Sequence, residues 1–261
     1  MNNSQGYVNK DYLENASLVF KEIKNDSYKK MLIAPGDQVL DVGCGPGIDV
    51  VGMAKLVTQE GLAVGIDHDS EMIVGAKTLA VSQGVSDTVE FHVHDVATLP
   101  FDNDYFDSCR SERVFMHLSD PLTTLKQMYR VTKPKGRIVV TDSDWSSLSI
   151  DCHTVGTEKK LFQFHRDKVM ANGYTGRSLF RFFRAVAVSD IQINIFPLFT
   201  TDLDAFSNLV RLQVIEKRAL EAKAISKEEL GRWREQLQQA ADDDCFFCSM
   251  NIISVSGIKP R

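Results

Sequence analysis

The chain has 261 residues, 43% hydrophobic and 25% charged, enough for one large domain or a core with an elaborated cap. Acids outnumber bases by 35 to 30, a net charge of −5, which argues against nucleic acid as a partner because such binders carry a basic footprint. No stretch approaches the about 18 apolar residues of a membrane span, and Met1 to Tyr7 lack the basic flank and apolar block of a leader, so a cytoplasmic protein without membrane attachment is expected.

Apolar residues at 13, 16, 19, 20 and 23 predict an amphipathic helix over about Lys10 to Leu32, and Ala34-Pro35-Gly36-Asp37 predicts a turn after it. A buried strand follows at Val39, Leu40 and Val42. It breaks into Gly43-Cys44-Gly45-Pro46-Gly47, and a helix starts at Ile48. Leu62 to Ile66 is the second strand, and a second α/β helix opens near Asp69-Ser70. Val89 to Val93 alternates as a third strand, and Phe106 to Arg110 is a fourth. Ser119-Asp120-Pro121 caps the next helix, with Pro at its first position, and Arg137 to Thr141 is the fifth strand. Strand and helix thus alternate as in a mostly parallel sheet with right-handed crossovers.

Three features of the first half carry chemistry. Glycine in the turn after the first strand lets a ligand come close to the backbone. The spacing is D-x-G-x-G-x-G; a nicotinamide or flavin site would place glycine where Ile48 stands, and a nucleotide-hydrolase loop is absent. Asp67 ends the second strand 20 residues beyond Gly47, where a doubly wound fold puts an acid on ribose hydroxyls. Asp95-Val96 follows the third strand, and Ser111 the fourth.

In this order the motifs resemble the class I S-adenosylmethionine-dependent methyltransferases, in particular the subgroup with the ubiquinone and menaquinone C-methyltransferases. The resemblance covers roughly residues 35–145. It implies a doubly wound, Rossmann-like, mostly parallel seven-stranded sheet whose last strand is antiparallel, with a helical insertion before that strand. It also implies S-adenosylmethionine as cofactor, held by Asp41, Gly43, Cys44, Gly45, Gly47, Asp67, His68, Met72, Asp95, Val96 and Ser111. In that family the Asp matching Asp95 accepts from the adenine amino group. The expected activity is in-line methyl transfer to an O, N or C nucleophile of a small molecule. Alternatives are a non-catalytic binder of the cofactor or its product, and a nucleic-acid or protein methyltransferase. Ser111-Glu112-Arg113-Val114 stands where exocyclic-amine methyltransferases carry Asn or Asp followed by Pro-Pro and an aromatic.

The expected organisation is an N-terminal helical segment (1–34), a cofactor-binding core (35–145), and the rest of the sheet with a helical lid that selects the substrate (146–261). Helices are predicted around 161–169, 179–186 and 203–214, and after the capping box Ser226 to Glu229. Strands are predicted at Ile191 to Phe196 and Phe246 to Ile258. Methyl transfer asks for alignment and exclusion of water, and for a base only when the nucleophile holds its proton tightly, so catalytic residues are hard to read. His117, Asp144 and Trp145 are the candidates; Asp142, Asp144 and Trp145 are expected just past the fifth strand, at the mouth of the pocket. Tyr7 and Tyr12 are expected near a helix that folds over the cofactor. The arginines of Arg177 to Arg184 read as the solvated face of a helix. Cys245-Phe246-Phe247-Cys248 lacks a second Cys pair, so no metal is expected.

Overall fold

The computed structural model describes residues 21–261, so residues 10–20 of the first predicted helix, with Tyr7 and Tyr12, lie outside the described residues. Helix α1 (Lys21–Met31) leads into β1 (Gln38–Val42), α2 (Ile48–Val57), β2 (Leu62–Asp67), α3 (Ser70–Ser82), β3 (Val89–Val93) and β4 (Phe106–Glu112). Then come α4 (Pro121–Val131), β5 (Thr132–Ile150), α5 (Val155–Phe164), α6 (Thr175–Ala185) and β6 (Ser189–Thr200). Helices α7 (Leu203–Val210), α8 (Leu212–Glu221) and α9 (Lys227–Asp242) precede β7 (Cys248–Ile258). The strands form one sheet in the order β3-β2-β1-β4-β5-β7-β6. The first five are parallel to one another, and β7 runs antiparallel to both β5 and β6. The expected α/β fold is present, closing strand included.

Local sequence explains most element ends. Asp69 caps α3 by accepting the Glu71 N–H at 2.9 Å, and Asp120 caps α4, with Pro121 at its first turn, by accepting the Thr123 N–H at 3.1 Å. Ser226 and Glu229 form the predicted capping box on α9. One face of the sheet packs on α4 and α6 through Leu125, Met128, Leu179 and Phe183; the other packs on α2 and α3 through Val50, Met53, Ile73 and Ala76.

Three expectations need correcting. The helix predicted over 203–214 is two helices, because Arg211 takes a left-handed φ of 55° and ends α7. An L-residue rarely adopts that conformation, and no glycine or proline marks the break. Second, β5 continues to Ile150, well past Thr141, because it pairs with β7 as far as Ile150↔Cys248 after an irregularity between Asp144 and Ser149. Asp142 and Asp144 are therefore inside a strand. Third, β6 continues through Pro197, which an edge strand tolerates. Cys245 is exposed before β7 and Cys248 is buried within it. Among the described residues no three His, Cys, Asp or Glu side chains gather as a metal site would require. No described helix is long and apolar enough to cross a membrane.

Candidate functional site

Strand order reverses between β1 and β4, and beyond the carboxyl ends of these strands lies a cleft of about 760 Å³. An open α/β sheet binds its ligands at such a switch point.

The glycine turn forms the floor. Gly43, Gly45 and Gly47 have φ values of 79°, 52° and 80°, which L-side chains resist. The Gly43 and Cys44 N–H groups donate to the Ile66 carbonyl at 2.8 and 2.9 Å, fastening the turn to β2. Gly45 N–H donates to Asp67 Oδ2 at 2.9 Å, and Asp69 N–H donates to Asp67 Oδ1 at 3.0 Å. Burial alone would raise the Asp67 carboxyl, but His68 and these two N–H groups outweigh it and hold it below the usual range. A carboxylate has about four lone-pair sites, so Asp67 keeps capacity for ligand hydroxyls. Gly47 does not line the cleft. A Cβ there would sit 2.6 Å from the Ala76 Cβ, so this glycine serves the packing of α2 on α3 instead of ligand approach.

Asp41, Gly43, Cys44, Gly45, Asp67 and His68 line one end of the cleft, with Met72, Asp95 and Val96 beside them. Asp95 accepts the Ala97 N–H at 2.9 Å through one oxygen. Asp69 belongs to this group although the sequence marks it only as a helix cap. It is buried, its Oδ2 has no hydrogen-bond partner among the described residues, and it lines the cleft. An orphaned buried oxygen at a ligand site is a vacant acceptor.

Beneath this end lies a buried ionic cluster that the sequence did not signal. Arg110 is fully buried, 3.0 Å from Asp49 Oδ1, 2.5 Å from Glu112 Oε2 and 3.9 Å from Asp41 Oδ1. Lys24 reaches Asp49 at 2.6 Å, and the Tyr28 hydroxyl donates to the same carboxylate. Burial pushes Asp41 up to about 7 against the pull of Arg110. Burial acts on Asp49 in the same sense, but Arg110 and Lys24 prevail and keep it ionised. With Asp41 protonated, the two cations balance Asp49 and Glu112. Ser111, expected beside the ligand, instead donates to the Val42 carbonyl at 2.8 Å, ties β4 to β1 and does not reach the cleft. Its neighbours Glu112 and Arg113 do.

The opposite end is walled by the turn after β4, by Trp145, and by residues within 165–171 and 210–218. Asp142 fixes the turn after β4 by accepting the Met116 N–H at 3.0 Å, next to His117. Burial lowers His117 to about 4, helped by Arg113, and lowers His165 to about 4, helped by Arg218. Both imidazoles are neutral at pH 7. Trp145 lies edge-on to His165, ring centroids 4.9 Å apart. Asp144 leaves the candidate set: Arg177 grips it with three contacts of 2.7–3.0 Å, and it does not line the cleft. Gly176 makes this possible, since a Cβ there would lie 2.9 Å from the Asp144 nitrogen.

A glycine-turn nucleotide-type site on a seven-stranded sheet with one antiparallel strand defines a methyltransferase-like α/β protein, and comparison with known proteins agrees. Residues 33–188 match the methyltransferase domain family. A 37.1 kDa protein of transposon TN4556 from Streptomyces fradiae is 32% identical over 81% of this chain and 62% of its own length. Demethylmenaquinone methyltransferase from Lysinibacillus sphaericus is 29% identical over 56% of this chain and 58% of its own. Among solved structures, the YcgJ protein of Bacillus subtilis superposes with a TM-score of 0.64 at 19% identity, covering 92% of this chain and 99% of its own. This chain thus spans about three fifths of the length of these two relatives. It belongs to the methyltransferase domain family, in its class I, S-adenosylmethionine-dependent branch.

Proposed function

We propose that the protein transfers a methyl group from S-adenosylmethionine to a nucleophile of a small molecule. The observation that carries this reading is the junction of glycine turn and Asp67: the Gly45 N–H and the Asp67 carboxylate meet at the cleft floor, with Asp69 Oδ2 vacant beside them. That pairing suits a nucleoside whose ribose hydroxyls donate to Asp67 and Asp69. Asp95 and Val96 then meet the adenine edge, Met72 its face, and Gly43, Cys44 and His68 the remaining polar atoms. Asp41, Asp49 and Glu112, neutralised by Arg110 and Lys24, line the same end of the cleft and hold the ends of β1 and β4 in place around the methionyl part.

The bound sulfonium supplies a methyl carbon already activated toward displacement. The chain's own part is alignment, since the strand ends hold one reactant and the helical wall holds the other, and shielding from water by Trp145, Val169, Met170 and Ile215. When the acceptor's nucleophile must lose a proton, the neutral His117 and His165 are the imidazoles on the acceptor's side of the cleft that can take it. Cofactor binding is assigned to residues 35–145 and acceptor selection to 146–261, after the N-terminal segment 1–34. The similarity to demethylmenaquinone methyltransferase and the net charge of −5 favour a small-molecule acceptor over nucleic acid, and a cytoplasmic site of action.

The test is calorimetric titration with S-adenosylmethionine, S-adenosylhomocysteine and NAD, followed by a metabolite screen for transfer of labelled methyl. Binding of the first two and not of NAD is expected. NAD binding without S-adenosylmethionine binding would overturn the reading.

A further inference from the structure

The charges lining the cleft are segregated. Its cofactor end holds every lining acid, Asp41, Asp49, Asp67, Asp69, Asp95 and Glu112, with Lys24 paired to Asp49 and Arg113 3.8 Å from Glu112. The lid end holds the cations Arg211 and Arg218, the neutral imidazoles His117 and His165, and no lining acid. In a chain with more acids than bases this arrangement is not a consequence of composition.

Helix α8 makes the pattern specific. Arg211, Val214, Ile215 and Arg218 stand at i, i+3, i+4 and i+7, so one stripe of the helix faces the cleft, with an apolar pair flanked by two guanidinium groups. The acid on this helix nearest the stripe, Glu216, turns away to pair with Arg234 of α9, and Glu221 lies near Lys217. Among the described residues neither Arg211 nor Arg218 has a carboxylate within ion-pair distance, whereas Arg177 and Arg234 each hold one. On the same wall, and among the described residues, the Trp145 indole N–H and the His165 Nδ1 are buried without hydrogen-bond partners. The wall therefore offers cations and unused polar atoms around an aromatic and aliphatic surface.

Resting on the methyl-transfer reading, we propose that the acceptor is an anionic molecule with an apolar ring: its anionic oxygens are held by Arg211 and Arg218, and its ring lies against Trp145, Val214 and Ile215. The anionic group is the handle, and the methylated atom is elsewhere on the molecule, toward the cofactor end. Guanidinium forks suit carboxylate and phosphate alike, and an aromatic edge suits the ring.

The experiment uses the full chain and three probes with one ring system: 2-naphthoate, 2-naphthyl phosphate and the neutral 2-naphthalenemethanol. S-adenosylhomocysteine is titrated first, and each probe is then titrated into the loaded protein. At least one anion should bind about tenfold more tightly than the alcohol, and which anion does so separates carboxylate from phosphate. Arg211→Gln and Arg218→Gln should each weaken that anion several-fold, and together abolish its advantage, while S-adenosylhomocysteine affinity stays within about twofold. Equal binding of the alcohol, unchanged anion affinity in the double variant, or no anion binding to loaded protein would overturn the proposal. If S-adenosylhomocysteine itself fails to bind, the cofactor assignment falls. The probes titrated into unloaded protein then decide the anion site by the same criteria.

Discussion

The end of the cleft assigned above to the cofactor hangs from the ends of β1 to β4, whereas the opposite end, proposed as a lid, rests largely on helices with a core of their own. The strands are braced on both faces, by Leu40, Val42 and Ile66 on one side and Val39, Val50 and Ala63 on the other. At the helical end, α5, α7, α8 and α9 close around Trp233, Phe162, Phe206 and Leu230, a separate apolar cluster that meets the sheet at Ile150 and Cys248. A group placed by the first arrangement inherits the rigidity of the sheet; a group placed by the second can change without loosening the fold. This division suits a constant cofactor and a variable acceptor.

The largest expected effect lies beneath the rigid end. Arg110→Met would leave Asp49 and Glu112 buried without their shared cation, lowering unfolding free energy by about 3–5 kcal/mol in denaturant titration. The exposed Arg218→Gln should stay within about 0.5 kcal/mol in the same assay. Comparable losses in both would erase the contrast. Next is Asp67→Ala, which removes the acceptor of the Gly45 and Asp69 N–H groups together with the proposed ribose contacts; S-adenosylmethionine affinity should fall at least about tenfold by calorimetry.

Protonation sharpens the comparison further. Asp41 and Asp142, both pushed up to about 7 by burial, stay protonated in the folded chain at pH values where the unfolded chain has released those protons. Each therefore contributes stability that is full below about pH 4 and is lost as pH rises to about 7. His117 and His165, lowered to about 4, act oppositely: the unfolded imidazoles take up protons below about 6.5, so these residues cost stability as pH falls toward 4. The whole-protein profile is the sum of opposed slopes. Asp41→Asn should remove the declining component between pH 4 and 7, seen as a wild-type minus variant difference in denaturation midpoints that shrinks with pH. A difference independent of pH would refute the protonated Asp41. The smallest effect belongs to the lid: Trp145→Leu should raise acceptor KM several-fold and leave S-adenosylmethionine affinity unchanged.

The rigid end was also the more legible in the sequence. Gly43, Gly45, Asp67 and Asp95 sit at short, fixed offsets from strand ends, and the caps at Asp69, Asp120 and Ser226 satisfy N–H groups within three residues of themselves. Arg110 was opaque because its partners Asp41 and Asp49 come from β1 and α2, and Lys24, which shares Asp49, from α1. Asp144 looked available for the same reason, since nothing near it announces Arg177 33 residues on. Ser111 was misplaced because alternation along β4 does not say which hydroxyl a neighbouring strand will take. The break at Arg211, which sets the arginine stripe of α8, follows from tertiary packing of helices whose apolar spacing reads as continuous.

Hydrogen exchange with and without S-adenosylhomocysteine tests the divided cleft most directly. Added ligand should slow exchange over 41–48, 67–72 and 95–97. Residues 203–221 should exchange faster than β1 and β4 and change little. Protection appearing on 203–221 but not on the glycine turn, or lid amides as slow as the central strands in both states, would contradict the account.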